Sequence, residues 1–239
     1  MLENPYRKLF IAVLAFTLEL PSIGFAEWYA DLYTGAVFTN RTDLTISSSL
    51  GTTTTYHDLY VNNTWTAGGR GGYWLDKMDW LGFGLDLFLF HLKAPNQSAQ
   101  VTGSGAASSA LADWSLPALG IGFDVLRVRA PLFRTEEFVH GRLQPFLSIG
   151  PALFVTWAGQ NRNVQPSGQQ GTDVALGFKA DAGVTVLLTQ WIGLFAQYRF
   201  THFTSKFDYQ NNSPAPATET YKATYDSQQI IGGLTFRFH

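Results

Sequence analysis

Apolar and polar residues exchange at every second position along most of this chain, and the charged side chains keep to one of the two resulting faces. The last segment, "IIGGLTFRFH", shows the pattern. Ile230, Leu234, Phe236 and Phe238 share one face, and Gln229, Gly233, Thr235 and Arg237 share the other. In "IGLFAQYRF", Ile192, Leu194, Tyr198 and Phe200 oppose Gln197 and Arg199; in "DVALGFKADAGVTV", Val174, Leu176, Phe178, Val184 and Val186 oppose Asp173, Lys179 and Asp181. In "LGFGLDLFLF", Leu81, Phe83, Leu85, Leu87 and Leu89 oppose Gly82, Gly84 and Asp86. Side chains of a strand point alternately to opposite sides, so period two means strands with unlike faces.

About eight such segments are expected, each near the ~9–11 residues that cross a bilayer as a tilted strand. They run Trp28 to Thr39, Val61 to Leu75, Leu81 to Leu92, Asp113 to Val128, Arg142 to Trp157, Thr172 to Leu187, Ile192 to Phe203 and Ser227 to Phe238. The connections alternate. Long polar ones are "NRTDLTISSSLGTTTTYHD", "KAPNQSAQVTGSGAASSA", "GQNRNVQPSGQQG" and "TSKFDYQNNSPAPATETYKATYD"; "DKMDW" and "LTQW" are short, and "RAPLFRTEEFVH" is intermediate. Short periplasmic turns and long extracellular loops are the habit of an up-and-down barrel in an outer membrane. Both chain ends then lie on the periplasmic side.

Alternation alone also fits a soluble barrel with its apolar set inside. The polar face decides between them. It is rich in glycine, as the inner wall of a narrow barrel requires, and its charges nearly balance. Asp31, Asp86, Asp124 and Asp181 stand against Arg70, Lys179, Arg199 and Arg237. The tryptophans agree: Trp28, Trp74, Trp80 and Trp191 fall at periplasmic strand ends or turns, and Trp65, Trp114 and Trp157 towards extracellular ends. Indoles favour the membrane–water interface, so all seven are expected in two aromatic girdles. The fold expected is all-β, a transmembrane antiparallel up-and-down barrel.

The first residues set the compartment. "MLENPYRKLFIAVLAFTLELPSIGFA" places Arg7 and Lys8 before an apolar run from Leu9 to about Leu18, then Pro21 and small residues at Gly24 and Ala26. That is the layout of a secretory signal peptide, with cleavage expected after Ala26 and a mature barrel over 27–239. The 239-residue chain has no cysteine, which excludes disulfides, thiolate metal sites and cysteine nucleophiles. A net charge of −2 offers no basic field for nucleic acid.

The signal peptide, the amphipathic strands and the ending "LTFRF" resemble the OmpA-like outer-membrane β-barrel superfamily, and "QWIGLFAQYRFTHF" is similar to the penultimate strand of many members. The resemblance covers the mature chain and implies a bacterial outer-membrane location. It also implies contact with lipid including lipopolysaccharide, and an aromatic ending, here Phe236 and Phe238, read by the barrel-assembly machinery. His239 after Phe238 departs from the terminal aromatic residue usual in that superfamily. No peptidoglycan-binding periplasmic domain is expected after the closing strand.

Three functional readings follow. In a barrel of about eight strands the interior is just wide enough for side chains, so the ion set is expected to plug the lumen of a monomeric structural or surface-interaction protein. Its loops would meet extracellular ligands. The alternative is a narrow channel for small or apolar solutes, as in OmpW-like barrels. The third reading starts from "YRFTHFTSKF": by parity His202 and Thr204 face outward near the extracellular rim, with Asp226 at their level on the last strand. A histidine, a hydroxyl and a carboxylate make a nucleophile–base–orienter set, and this one resembles the PagL lipid A deacylases. Thr204 stands where that family has serine, Ser205 where it has Asn, and the carboxylate is Asp rather than Glu. An enzyme is the least expected reading. "GGRGG" lies inside a strand pattern and lacks the Lys-Ser/Thr of a phosphate loop, so its glycines are expected to make room for aromatics. The five histidines lack ligand spacing, and neither metal nor cofactor is expected.

Overall fold

A computed structural model describes residues 27–103, 109–158, 171–211 and 217–238. Residues 1–26, expected to be a signal peptide, and most of "GQNRNVQPSGQQG" lie outside the described residues. Ten strands form one antiparallel sheet: β1 (Glu27–Thr39), β2 (Thr42–Ser48), β3 (Thr53–Leu59), β4 (Thr64–Trp74), β5 (Leu81–Gly103), β6 (Ser109–Arg129), β7 (Leu143–Ala158), β8 (Gly171–Leu187), β9 (Ile192–Asn211) and β10 (Ala217–Phe238). Eight of them close a ring in the order β1, β4, β5, β6, β7, β8, β9, β10, and β10 returns to β1 through pairs running from Trp28↔Phe238 to Thr39↔Ser227. Closure leaves no sheet edge within the ring, which is what lets a β-structure sit in lipid.

The wall continues well beyond the eight expected segments. β1 and β4 stop at Thr39 and Thr64, and the β2–β3 hairpin takes their place above them. β2 pairs with β10 over Leu44–Ser48, and β3 pairs with β5 over Thr54–His57. Much of what reads as polar loop is therefore barrel wall. β5 runs on to Gly103, β9 to Asn211, and β10 begins at Ala217. The reason lies in the inward positions of these stretches: Leu44, Val101, Phe207, Tyr209, Tyr221 and Ala223 are all buried. The long connections, expected as polar loops, are thus anchored in part by apolar side chains turned inward.

Outside, Leu85, Leu87, Leu89, Leu147, Val174, Leu176, Ile230 and Leu234 stand exposed on strands spread around the ring. An apolar band of this extent has no place in water and is the lipid-facing surface of a membrane barrel. Inside, glycines make room for large side chains. A Cβ on Gly68 would run into the Tyr33 ring, and one on Gly72 into Tyr29, so the "GGRGG" stretch is the floor on which those tyrosines lie.

β6 departs from simple alternation. Its register with β7 shifts between Gly122 and Leu126, and Val125 and Leu126 both face outward. This bulge reverses the parity of everything below it. Higher up, the pairs between β6 and β7 among the described residues run to Ala118↔Thr156, next to Pro117, which has no N–H to donate.

Candidate functional site

The lumen divides into an ionic half towards the chain termini and an apolar half towards the β2–β3 hairpin. At the bottom, Glu27 lies 2.5 Å from Arg129 and 3.1 Å from Arg237. Gln144 Oε1 accepts from both arginines at 3.2 Å, and its Nε2 donates to the carbonyls of His140 and Gly141 at 3.0 and 2.9 Å. The β6–β7 connection is thereby tied under the barrel mouth.

The next tier holds Asp31, Arg70, Asp124 and Arg127. Arg70 approaches Asp31 at 3.6 Å and donates to Gln197 Oε1 at 2.7 Å; Arg127 lies 3.4 Å from Asp124. Above it, Lys179 Nζ sits 2.6, 2.8 and 2.9 Å from Asp124, Asp86 and Asp181. Arg199 donates from Nε to Asp181 at 2.7 Å and from its other arm to Asp86, which also accepts from the Tyr33 hydroxyl. Ser148 and Gln197 complete Asp181 at 2.9 Å each.

All these charges are buried, with Glu27, Asp31, Asp86, Asp124 and Asp181 facing Arg70, Arg127, Arg129, Lys179, Arg199 and Arg237. The cations outnumber the carboxylates by one, and aromatic faces take part of the difference. Arg127 lies 4.3 Å from the Phe146 ring centroid, Arg129 4.3 Å from Trp74, and Arg199 4.5 Å from Phe88.

The eight charged residues singled out in the sequence thus all line the lumen, in the lower and central tiers. Sequence reasoning missed Arg127 and Arg129 because even–odd counting from Asp124 puts them on the lipid face; the bulge turns them inward. Glu27 was missed because the first strand was expected to begin one residue later, although parity with Asp31 would have placed it.

Five tryptophans, Trp28, Trp65, Trp80, Trp157 and Trp191, are exposed on the outer wall or its turns, and Trp28 meets Tyr73 edge-on at 5.0 Å. Trp74 and Trp114 are not girdle residues. They are 2% and 6% exposed and point into the lumen. Each shares parity with a luminal charge on its own strand, Trp74 with Arg70 and Trp114 with Asp124, and that signal outranks their position at strand ends. Phe236 is half-buried and Phe238 exposed, both on the outward face of β10.

The upper half begins with Phe88, Phe90, Phe154, Phe203 and Tyr225, where Phe154 and Phe203 stack at 4.1 Å. Above them an apolar chamber of about 30 Å³ is lined by Leu44, Trp114, Leu116, Phe207, Tyr221 and Tyr225, with Ser205 and Ala223.

On the outer wall, His202 and Asp226 are register partners on β9 and β10, and Nδ1 of the imidazole lies 2.5 Å from Asp226 Oδ1. The ring packs on Phe178 at 5.4 Å. Base and carboxylate are therefore assembled. The hydroxyl is not: Thr204 Oγ1 pairs with Thr224 Oγ1 at 2.9 Å. Among the described residues no hydrogen bond links His202 to Thr204, and no group of acidic and histidine side chains has the geometry to hold a metal.

A closed antiparallel ring with an apolar outer band and a buried ionic interior is a transmembrane β-barrel of the bacterial outer-membrane kind. No protein-family model and no curated protein matches the sequence. Among solved structures, the outer membrane protein OprG from Pseudomonas aeruginosa matches with a TM-score of 0.57 at 13% identity, over 90% of this chain and 96% of that one. Neisserial surface protein A matches with a TM-score of 0.44 at 16% identity, over 90% of this chain and 98% of its own. At these identities the likeness is one of fold, and the OprG match supports it. The chain has the fold of the small outer-membrane barrels that its sequence resembles.

Proposed function

We propose that this protein is an integral outer-membrane barrel with a structural or surface-interaction role, closed to ions along its lumen. The observation that carries this reading is the central tier. Asp86, Lys179 and Arg199 are wholly buried, Asp181 nearly so, and together they reach across the lumen from β5, β8 and β9. An ion in transit would have to displace paired charges that are buried within the lumen. In this reading the barrel acts as a monomer, Phe236 and Phe238 serve its assembly, and the extracellular strand tips meet ligands outside. The test is single-channel conductance of refolded protein in a planar bilayer, with folding checked by a shift in gel mobility on boiling. Silence is expected, and stable unitary steps would overturn the reading.

A second reading, a narrow route for apolar solutes, is favoured by the apolar upper chamber. In it an apolar solute enters the upper chamber from outside, and the ionic tiers beneath bar it from passing straight through. An apolar fluorophore that exchanges energy with tryptophan tests it. Energy transfer that falls in Trp114→Phe supports the route, and equal transfer in both proteins counts against it.

A further inference from the structure

The outward positions of β9 change character abruptly. Ile192, Leu194, Ala196, Tyr198 and Phe200 give a nine-residue apolar face, and His202, Thr204, Lys206 and Asp208 continue it as a polar one. Nine residues is the length at which a tilted strand has crossed the hydrocarbon (~9–11). The polar column therefore starts at the head groups of the outer leaflet.

Its β10 partners are in strict register: Asp226 opposite His202, Thr224 opposite Thr204, Lys222 opposite Lys206, and Thr220 opposite Asp208. Two lysines directly across an antiparallel pair repel one another, an arrangement that costs stability unless an anion sits between them. Lys222 has no ion-pair partner among the described residues, and its neighbour on β2 is the uncharged Thr45. Lys206 has only a long contact, 3.7 Å, to Asp208, whose other oxygen is taken by the Thr220 hydroxyl at 2.5 Å. Asp173 is held on the backbone N–H of Lys206 at 2.8 Å, and Asp43 faces His57.

Directly below the lysines lies the Thr204–Thr224 pair. Two hydroxyls that share one hydrogen bond keep one O–H free to donate elsewhere. Successive outward residues lie about 7 Å apart along a strand, and facing Cβ atoms about 5 Å apart across it. The two lysines and the hydroxyl pair thus occupy neighbouring register positions of one outward column, close enough for their side chains to reach a single phosphate.

We propose that Lys206 and Lys222, with the Thr204–Thr224 hydroxyl pair, form a binding site on the outer wall for the phosphate of an outer-leaflet glycolipid. It rests on the outer-membrane reading, and it deepens the surface role by naming a lipid that the wall holds. Acyl chains of such a lipid run down over Phe200, Phe178 and Tyr198, which are the outward residues beneath. The ammonium groups reach the phosphate by extending along the wall, as long cationic side chains do at an interface.

The test is native mass spectrometry of the folded protein in detergent with added bisphosphorylated lipid A, repeated with the dephosphorylated lipid. Wild type should retain one phosphorylated lipid and at least ten-fold less of the dephosphorylated one. Lys206→Gln/Lys222→Gln should lose that preference, and Lys222→Gln alone should lose part of it. Equal retention by wild type and the double variant, or no preference for phosphate in wild type, overturns the site. The gel-mobility shift on boiling is read on the same samples, so loss of the barrel itself, which would sink the membrane reading, is seen separately from loss of lipid.

Discussion

Arg199 and Asp181 face each other across the β8–β9 ladder, and the arginine's Nε donates to the carboxylate at 2.7 Å in a fully buried setting. The same guanidinium reaches Asp86 on β5 on the far side of the lumen. One side chain therefore ties the wall to itself through the barrel axis. Replacing Arg199 by Ala leaves two carboxylates short of a partner, and removing one member of a buried pair costs about 3–5 kcal/mol. Urea unfolding in detergent should show a loss of that size for Arg199→Ala and a smaller one for Arg199→Lys, which keeps the charge but not the two-armed geometry.

The separation of the tryptophans has an optical consequence. Brominated lipids quench indoles that touch acyl chains or the interface. Trp65→Phe should lower the quenchable fraction of the fluorescence, while Trp74→Phe and Trp114→Phe should remove only unquenched signal. A fall in the quenchable fraction with either luminal variant would place that indole outside.

The floor glycines predict a steric effect. Gly68→Val places methyl groups where the Tyr33 ring lies, and Tyr33 donates to Asp86. Overpacking of this kind costs about 1–3 kcal/mol. Gly69→Val, on the outward face of the same strand, should be tolerated. The thermal midpoint of the gel-mobility shift distinguishes the two.

The β2–β3 hairpin carries its own pH dependence. Asp43 accepts from the backbone N–H of Asp58 at 2.8 Å and faces His57 at 3.1 Å, and the other nitrogen of His57 meets Thr102 on β5 at 2.8 Å. The Asp58 N–H, and after it His57, holds the Asp43 carboxyl below its usual range. A depressed folded pKa gives stability that is present above the unfolded value, about 3.9, and is lost as pH falls through the folded one. The hairpin should stay docked at neutral pH and loosen only in acid below about pH 4. Hydrogen exchange at the Asp58 amide measures this, and Asp43→Asn should show the acid behaviour at pH 7.

Lipid chemistry on the outer wall is the remaining question for His202. The Thr204 hydroxyl pairs with Thr224, and among the described residues no hydrogen bond joins it to His202. Lipid A from cells expressing wild type and His202→Ala should be identical by mass spectrometry. Acyl loss with wild type alone would restore the deacylase reading.

The alternation of faces determined strand type, the count of the membrane ring and which of eight charges turn inward, because a period of two is a local property that neighbouring residues carry with them. The pattern of long and short connections set the expectation of which end faces outward. Three things lay beyond it. Arg127 and Arg129 depend on the extra residue that β6 carries at Val125 and Leu126 against both of its neighbours, β5 and β7, which a count of period two does not foresee. The β2–β3 hairpin is wall only because β10 and β5 rise high enough to pair with it, and short polar-rich strands are stable only against such partners. The pairing of Lys206 with Lys222, and of Thr204 with Thr224, exists only in the register between β9 and β10, and register is fixed by the whole closed ring.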